Sequence, residues 1–248
     1  MNFQNKKILI TGGNSGIGQA LAEALQANGN KLVVTGRKID SLQQALDKNP
    51  EMAGYALDVT EPASVDAFLK ALLSEHPDLD AVILNAGIMQ SEDYTTDTVS
   101  TDAADRMVAT NLTAPIHLAA ALLPHLRTRP EAALVTVSSG LAFVPRNDYA
   151  VYSATKAAIH SWTQSLRHQL RETSVSVHEI APPLVATELT PGQSKIEAAL
   201  PLDAFVKEVI DIMAQEQVPD EILVQRVNFQ RGAEREGRYE QAFAAINR

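Results

Sequence analysis

The sequence predicts a single-domain α/β fold, in which one doubly wound parallel sheet is covered by helices on both faces. Short apolar runs rich in β-branched residues alternate with longer segments of helical periodicity from the first residues onward. The runs are apolar at consecutive positions, which is typical of parallel strands buried on both faces. No glycine-serine linker, repeat or low-complexity segment interrupts the pattern, so we expect one domain over residues 1–248.

The elements follow one another in regular order. The first strand, KILIT, ends in a glycine turn, and the helix after it has apolar residues at helical spacing with Gly29 placed as its C-cap. Runs such as KLVVTG, AVILNA and ALVTVSS repeat the strand pattern. The predicted strands are 7–11, 31–36, 54–59, 81–86, 133–139, 174–182 and 221–224. The predicted helices are 17–29, 38–48, 62–75, 101–127, 150–172, 201–215 and 233–246.

Composition excludes several classes of protein. Hydrophobic residues make up 45% of the chain, and the formal net charge is −9. Such a charge disfavours nucleic acid and anionic membrane surfaces as partners. The absence of cysteine excludes disulfides and thiolate metal sites. The N-terminal residues lack a signal-peptide pattern, and the longest apolar run is broken at Pro124, so we expect a soluble, cytoplasmic protein that does not span a membrane.

A glycine-rich loop, TGGNSGIG, follows the first strand at residues 11–18. A strand-to-helix turn needs glycine where φ is positive and where backbone approaches a ligand. The start of the helix then offers free N–H groups and a positive dipole end to a pyrophosphate. The loop residues predicted to bind a dinucleotide are Gly12, Asn14, Ser15, Gly16, Ile17 and Gly18.

Tyr152 and Lys156 are a candidate catalytic pair. Residues four apart on a helix lie on one face. A tyrosine of ordinary pKa is a poor base at neutral pH, and a fixed ammonium beside it would bring its pKa towards the working range. Ser139, at the end of the fifth strand, could hydrogen-bond a substrate oxygen as charge develops there.

These motifs together resemble the short-chain dehydrogenase/reductase family, which has a Rossmann-type fold. The resemblance covers residues 7 to about 187 and rests on the glycine loop, Asp58-Val59, Asn85-Ala86-Gly87, Asn111, Ser139, Tyr152, Lys156 and the segment Pro182 to Thr187. It implies that Tyr152 exchanges the proton, that Lys156 also holds the nicotinamide ribose, and that Asn111 supports a water relay. Asn111 could instead cap or kink its helix. The resemblance assigns cofactor contacts to Asp58, Val59, Asn85, Ala86, Gly87, Tyr152, Lys156, Pro182, Val185 and Thr187.

Two departures from the family pattern stand out. Pro183 replaces the usual glycine after Pro182, which removes a backbone donor near the nicotinamide. The C-terminal sequence lacks the family's usual ending and resembles the DltE-type oxidoreductases. We expect residues 184–200 to form a substrate loop and 225–248 a C-terminal tail; the stretch 188–200 could be a mobile lid or an ordered connector.

The end of the second strand predicts cofactor preference. An NAD-specific site places a carboxylate there, but this chain has Gly36 followed by Arg37, a cation suited to a 2′-phosphate. We therefore expect NADP(H) to be preferred, with NAD(H) possible. An exposed Arg37 with no cofactor role is the alternative.

The expected function is hydride transfer between NADP(H) and a carbonyl or secondary alcohol. A non-catalytic NADP(H)-binding redox sensor and an NAD-dependent epimerase or dehydratase are the alternatives; the loop spacing and the presence of Ser139, Tyr152 and Lys156 favour the oxidoreductase. By resemblance we expect a homodimer or homotetramer. The candidate substrate-pocket residues are Met89, Gln90, Leu141, Phe143, Val144, Tyr149, Leu184 and Leu189.

The remaining charged and histidine residues predict less. The six histidines show no metal-ligand spacing, so no metal site is expected, and His160 and His168 are interpreted as surface or interface residues. Four arginines of the tail could bind an acidic substrate or a partner subunit, although a solvated or salt-bridged tail is favoured: Arg226, Arg231, Arg235 and Arg238.

Overall fold

The computed structural model describes residues 2–247; Met1 and Arg248, the two ends of the predicted domain, lie outside the described range. Seven parallel strands form one sheet in the order β3-β2-β1-β4-β5-β6-β7. They are β1 Lys7–Ile10, β2 Lys31–Gly36, β3 Ala53–Ala56, β4 Ala81–Leu84, β5 Ala132–Val137, β6 Val175–Ile180 and β7 Glu221–Ile222. The predicted doubly wound sheet is confirmed.

The helices lie on both faces of the sheet. They are α1 Gly16–Ala27, α2 Ile39–Lys48, α3 Pro62–Glu75, α4 Asp102–Val108, α5 Ala114–Leu126, α6 Ala150–Leu170, α7 Leu202–Met213, α8 Asn228–Arg231 and α9 Tyr239–Ile246. One core cluster packs α1 and α7 on the sheet, and a second packs α3, α5 and α6 on the opposite face. The strand order reverses between β1 and β4, which opens a crevice at the carboxyl ends of the strands.

The predicted helix 101–127 is interrupted. A single π-helical turn, Ala109–Thr113, separates α4 from α5. By length and composition alone, the segment Asp102–Leu126 could cross a membrane, although the sequence predicts no membrane span. About a third (33%) of its apolar window is buried, and Leu118, Leu122 and Leu126 pack against the sheet.

The predicted final helix at 233–246 is wrong in extent. The chain instead forms the short α8, a turn over residues 232–237, and α9. Gly237 has φ of 67°, a left-handed conformation that ends one segment and redirects the next. The predicted strand 221–224 is also shorter, because only Glu221 and Ile222 pair with β6.

Candidate active site

The glycine loop between β1 and α1 forms an anion-binding turn. Gly12 and Gly16 have φ of 66° and 52°, which side-chain-bearing residues rarely adopt. The N-cap residue, Ser15, makes no side-chain capping hydrogen bond. The first N–H groups of α1 are therefore not capped by this side chain and can bind a phosphate.

The turn is held closely against β4. The Nδ2 of Asn85 donates to the carbonyl of Thr11 at 2.9 Å, and the Thr11 Oγ1 accepts from the backbone N–H groups of Asn85 and Ala86 at 3.0 and 3.1 Å. A Cβ at Gly18 would overlap the Asn85 amide and the Gly12 carbonyl. Gly18 is thus required for packing of the helix against the loop, while Asn85 fixes the shape of the turn.

A cleft of about 810 Å³ runs along the carboxyl ends of the strands. This volume lies in the range of small-molecule and cofactor sites. Eighteen of the predicted site residues line the cleft: Gly12, Asn14, Ser15, Gly16, Ile17, Gly18, Arg37, Asp58, Val59, Asn85, Ala86, Gly87, Ser139, Tyr152, Lys156, Pro182, Val185 and Thr187. The glycine turn is part of this lining, together with residues from the ends of several strands.

One end of the cleft is polar and cationic. Arg37 and Lys38 line it beside Asn14, whose Nδ2 donates to the Oγ of Ser41 at 2.7 Å. The Asn14 side chain occupies the space beside Gly36, where a Cβ would overlap it. Ser41 was not predicted from the sequence, because it contributes only after α2 folds back beside the loop.

Asp58 lies opposite this cationic group. Burial alone would raise the pKa of Asp58, but two hydrogen bonds from Thr60 and the positive charge of Arg37 hold that pKa below its usual value. Asp58 therefore stays ionised at neutral pH and attracts Arg37. An anionic group bound by Arg37 must compete with this carboxylate.

Tyr152 and Ser139 meet at the far wall of the cleft. Both are buried, with 6% and 7% of their surfaces exposed, and the Ser139 Oγ also accepts from the N–H of Leu141 at 3.1 Å. Burial raises the pKa of Tyr152 to about 12, while a hydrogen bond with Ser139 acts in the lowering direction. The expected lowering of this pKa by Lys156 is not found, because loss of hydration dominates. At neutral pH the phenol is protonated.

Lys156 is almost fully buried beside Tyr152. Its Nζ lies 5.6 Å from the centre of the tyrosine ring and donates to the carbonyl of Val137 at 2.8 Å. Burial lowers the pKa of Lys156 to about 8, and the negative charge of Glu179 acts in the raising direction. The ammonium is the major form at neutral pH, but it is less favoured than on an exposed lysine.

Asn111 lies beneath the cleft rather than in its wall. Its Oδ1 accepts from the N–H of Ile88 and its Nδ2 donates to the carbonyl of Ile88, both at 2.9 Å. A Cβ at Gly87 would lie 3.3 Å from the Asn111 Oδ1 and 3.7 Å from the Lys156 Nζ, so both side chains reach this glycine. The π-helical turn around Asn111 is a feature often found at functional sites.

The predicted substrate-pocket residues do not all line the cleft. Met89, Gln90 and Leu189 line the cleft, whereas Leu141, Phe143, Val144, Tyr149 and Leu184 do not. Val144 is fully buried against Ala233 and Ala242, because the C-terminal segment covers the loop after β5. The unpredicted Arg106 lines the cleft instead, with its Nη2 donating to Gln90 at 3.2 Å.

Three of the four tail arginines, Arg226, Arg231 and Arg238, make ion pairs or hydrogen bonds within the protein. Arg231 makes a two-pronged ion pair with Glu221, at 2.6 and 2.9 Å, and its guanidinium lies 4.7 Å from the centre of the Phe143 ring. Arg238 pairs with Glu236, and Arg226 donates to a backbone carbonyl. The expectation of a salt-bridged tail agrees with these contacts, and the tail fixes the segment between Ser139 and Tyr152.

His160, interpreted from the sequence as a surface or interface residue, is half-buried and bound to an acid inside the protein. Its Nδ1 lies 2.8 and 3.0 Å from the two carboxylate oxygens of Glu179, and its ring packs edge-on against Phe143. Glu179, which is completely buried, was missed because nothing in the local sequence distinguishes it from an exposed strand residue. His168, by contrast, is exposed as expected.

This arrangement defines the class of protein. Residues 6–198 match the family model described as short chain dehydrogenase. The chain belongs to the short-chain dehydrogenase/reductase family and is an NAD(P)-dependent oxidoreductase of the DltE type.

Two relatives illustrate the subgroup. An oxidoreductase named DltE, of Bacillus subtilis (strain 168), is 43% identical over 189 residues, which cover 76% of this chain and 75% of that protein. An oxidoreductase of Staphylococcus epidermidis (strain ATCC 12228) is 34% identical over 209 residues, which cover 82% of this chain and 90% of that one.

Solved structures show the same fold. A short-chain dehydrogenase from Burkholderia cenocepacia J2315 in complex with NADP has a TM-score of 0.82 at 22% identity, with 99% of each chain covered. A short-chain dehydrogenase/reductase from Burkholderia phymatum in complex with NAD has a TM-score of 0.81 at 20% identity, with 96% of this chain and 97% of that one covered.

Proposed function

We propose that the protein transfers hydride between NADP(H) and a carbonyl or secondary alcohol, using Ser139, Tyr152 and Lys156. The observation that carries this proposal is that all three line the same cleft as the glycine turn, with Tyr152 beside both Ser139 and Lys156. A non-catalytic redox sensor would need the turn but not these three side chains together.

The cofactor fits the residues of the cleft. Gly12, Gly16 and the N-terminus of α1 would hold the pyrophosphate, and Arg37 with Asn14 and Ser41 would hold the 2′-phosphate. Asp58 and Val59 would contact the adenine, and Pro182, Val185 and Thr187 would border the nicotinamide. When bound, the nicotinamide supplies or accepts the hydride at the carbonyl carbon.

The protein's own groups would manage the proton. Because the pKa of Tyr152 is about 12, its phenol is protonated at neutral pH and suited to donate to the oxygen of a carbonyl. Ser139 would hydrogen-bond the same oxygen as negative charge develops. Lys156 would stabilise the tyrosinate left by that donation.

Asn111 would act by fixing the backbone around Ile88, next to Lys156. Its two hydrogen bonds hold both polar groups of that residue. A water bound on this backbone could then resupply protons through Lys156, as the resemblance implies.

The substrate would have a largely apolar body. Met89 and Leu189 line the substrate end of the cleft, with Gln90 and Arg106 as polar exceptions. The proposed substrate loop, residues 184–200, is tied together by Gln193, whose Nε2 donates to the Val185 carbonyl at 2.9 Å. These contacts favour an ordered connector over a mobile lid. We further propose a cytoplasmic homodimer or homotetramer.

The test is Tyr152→Phe, assayed by NADPH absorbance with a panel of ketones and aldehydes. The ring still packs, so the fold and NADPH affinity should persist, while turnover falls by about 10²- to 10⁴-fold. Lys156→Ala should lose both turnover and cofactor affinity. Near wild-type turnover by Tyr152→Phe would refute the mechanism, and NADPH binding without turnover of any carbonyl by the wild type would favour the sensor.

A further inference from the structure

A second polar cluster lies directly beneath Ser139 and Lys156. Its centre is the carboxylate of Glu179 on β6, which has no exposed surface. The Oγ of Ser138 donates to one oxygen of this carboxylate, and the Nδ1 of His160 lies within hydrogen-bond distance of both. A carboxylate in such a position is costly unless hydrogen bonds and a positive charge compensate it.

The register of the sheet brings Glu179 close to Lys156. Lys156 donates to the carbonyl of Val137, and Val137 pairs with Ile180, the residue after Glu179. Ser138, which follows Val137, donates to Glu179. The Lys156 ammonium, hydrogen-bonded at Val137, and the Glu179 carboxylate, hydrogen-bonded at Ser138, therefore lie at neighbouring positions of the β5–β6 pair.

Helix α6 closes the cluster from the other side. Tyr152, Lys156 and His160 follow one another at four-residue spacing and so lie along one face of the helix. His160 reaches Glu179 one turn beyond Lys156. The carboxylate thus lies between the end of β5 and the catalytic face of α6.

We propose that Glu179 is a positioning residue of the catalytic site, whose buried negative charge keeps Lys156 an ammonium, with Ser138 and His160 holding the carboxylate in place. The inference rests on the proposed role of Lys156. This role would explain why a fully buried acid lies next to Lys156. In the described residues, the hydrogen bond that the Lys156 ammonium makes is to the Val137 carbonyl, which carries no negative charge.

Other charged groups around the cluster are largely paired with one another. On the C-terminal side, the charge of Arg231 interacts with that of Glu179, but Arg231 makes its hydrogen bonds to Glu221. Farther along α6, Arg167 donates to the carbonyls of Val177 and Asp220. Arg231 and Glu221 offset each other's charge, so removing the charge of Glu179 should act mainly on Lys156 and on His160, which contacts the carboxylate directly.

The direct test is the titration of Lys156 in cofactor-free protein labelled with ¹³C at the lysine Cε, with the signal assigned by its loss in Lys156→Met. The wild-type midpoint should lie near the pKa of about 8 to which burial, opposed by Glu179, lowers this lysine. Glu179→Gln keeps the shape and removes the charge, so the midpoint should fall by about 1 or more, as expected for loss of a nearby opposite charge.

Three control variants separate charge from structure. Glu179→Asp should restore most of the midpoint, while Ser138→Ala and His160→Gln, which retain the carboxylate, should change it much less. If Glu179→Gln does not fold, Glu179→Ser provides the same charge removal with less bulk. An unchanged midpoint in a folded charge-free variant would overturn the inference.

A second readout is the pH dependence of cofactor affinity, followed by quenching of protein fluorescence. With Glu179→Gln, the pH at which affinity falls on the alkaline side should move down together with the Lys156 midpoint. A loss of affinity equal at every pH would indicate a structural role only and would contradict the proposal. Because the titration needs neither cofactor nor substrate, it can succeed even where the proposed reaction fails.

Discussion

Arg37→Ala is the sharpest test of cofactor preference. Arg37 is the exposed cation that follows β2 at the polar end of the cleft, beside Asn14 and Ser41. A hydrogen bond to a charged group contributes about 1.5–3 kcal/mol, which corresponds to about 10- to 100-fold in affinity. Because Arg37 is exposed and faces Asp58, which competes for its charge, we expect the loss of NADPH affinity to lie near the 10-fold end.

The measurement is the dissociation constant of NADPH and of NADH for each variant, determined by calorimetry. Arg37→Ala should weaken NADPH binding far more than NADH binding, and the difference should shrink between about 50 mM and 500 mM salt as screening increases. Lys38→Ala, the adjacent exposed cation, is the matched control and should have the smaller effect. Asp58→Asn should raise the NADPH-to-NADH preference by releasing Arg37.

Two results would refute this reasoning. Equal losses of NADPH and NADH affinity in Arg37→Ala would show that the guanidinium contacts a part common to both cofactors. A wild-type preference for NADH would show that no 2′-phosphate site exists at this end of the cleft.

Three further predictions follow from packing and burial. Burial lowers the pKa of folded Lys156 to about 8, so the unfolded chain binds more protons above that pH and the unfolding free energy should rise with pH up to about 10.5, the ordinary lysine value. Lys156→Met should remove this slope, measured by urea denaturation of cofactor-free protein at a series of pH values; a slope unchanged by the substitution would contradict the burial argument. Gly18→Ala should destabilise the fold by about 1–3 kcal/mol, because the new Cβ overlaps Asn85 and Gly12, and a stable variant in the same denaturation assay would show that the loop can move away. The faces of α5 and α6 are expected to form a two-fold interface, so light scattering at micromolar concentration should give a dimer or tetramer mass, and a monomer mass would exclude it.

Much of the fold and of the cofactor site could be read from the sequence because it depends on local pattern. Buried strands in a parallel sheet are continuous apolar runs, so β1, β4 and β5 were identifiable without tertiary information. The glycines of the turn are demanded by backbone geometry at the end of β1. The doubly wound topology then places the carboxyl ends of the strands along one crevice, which is why residues distant in sequence line the same cleft.

The tertiary structure decided what depends on burial and on pairing between distant segments. Nothing local to Val144 shows that the C-terminal segment will cover it, and nothing local to Asn111 shows that its helix will open into a π turn. The pKa of Tyr152 moves upward rather than downward because the phenol loses its hydration, a quantity no spacing reveals. Glu179 becomes the buried neighbour of Lys156 only through the register of β5 against β6 and the packing of α6. The strength of an electrostatic interaction depends on the distance between two groups in space and on how far burial excludes water from them. Neither quantity can be read from the local sequence.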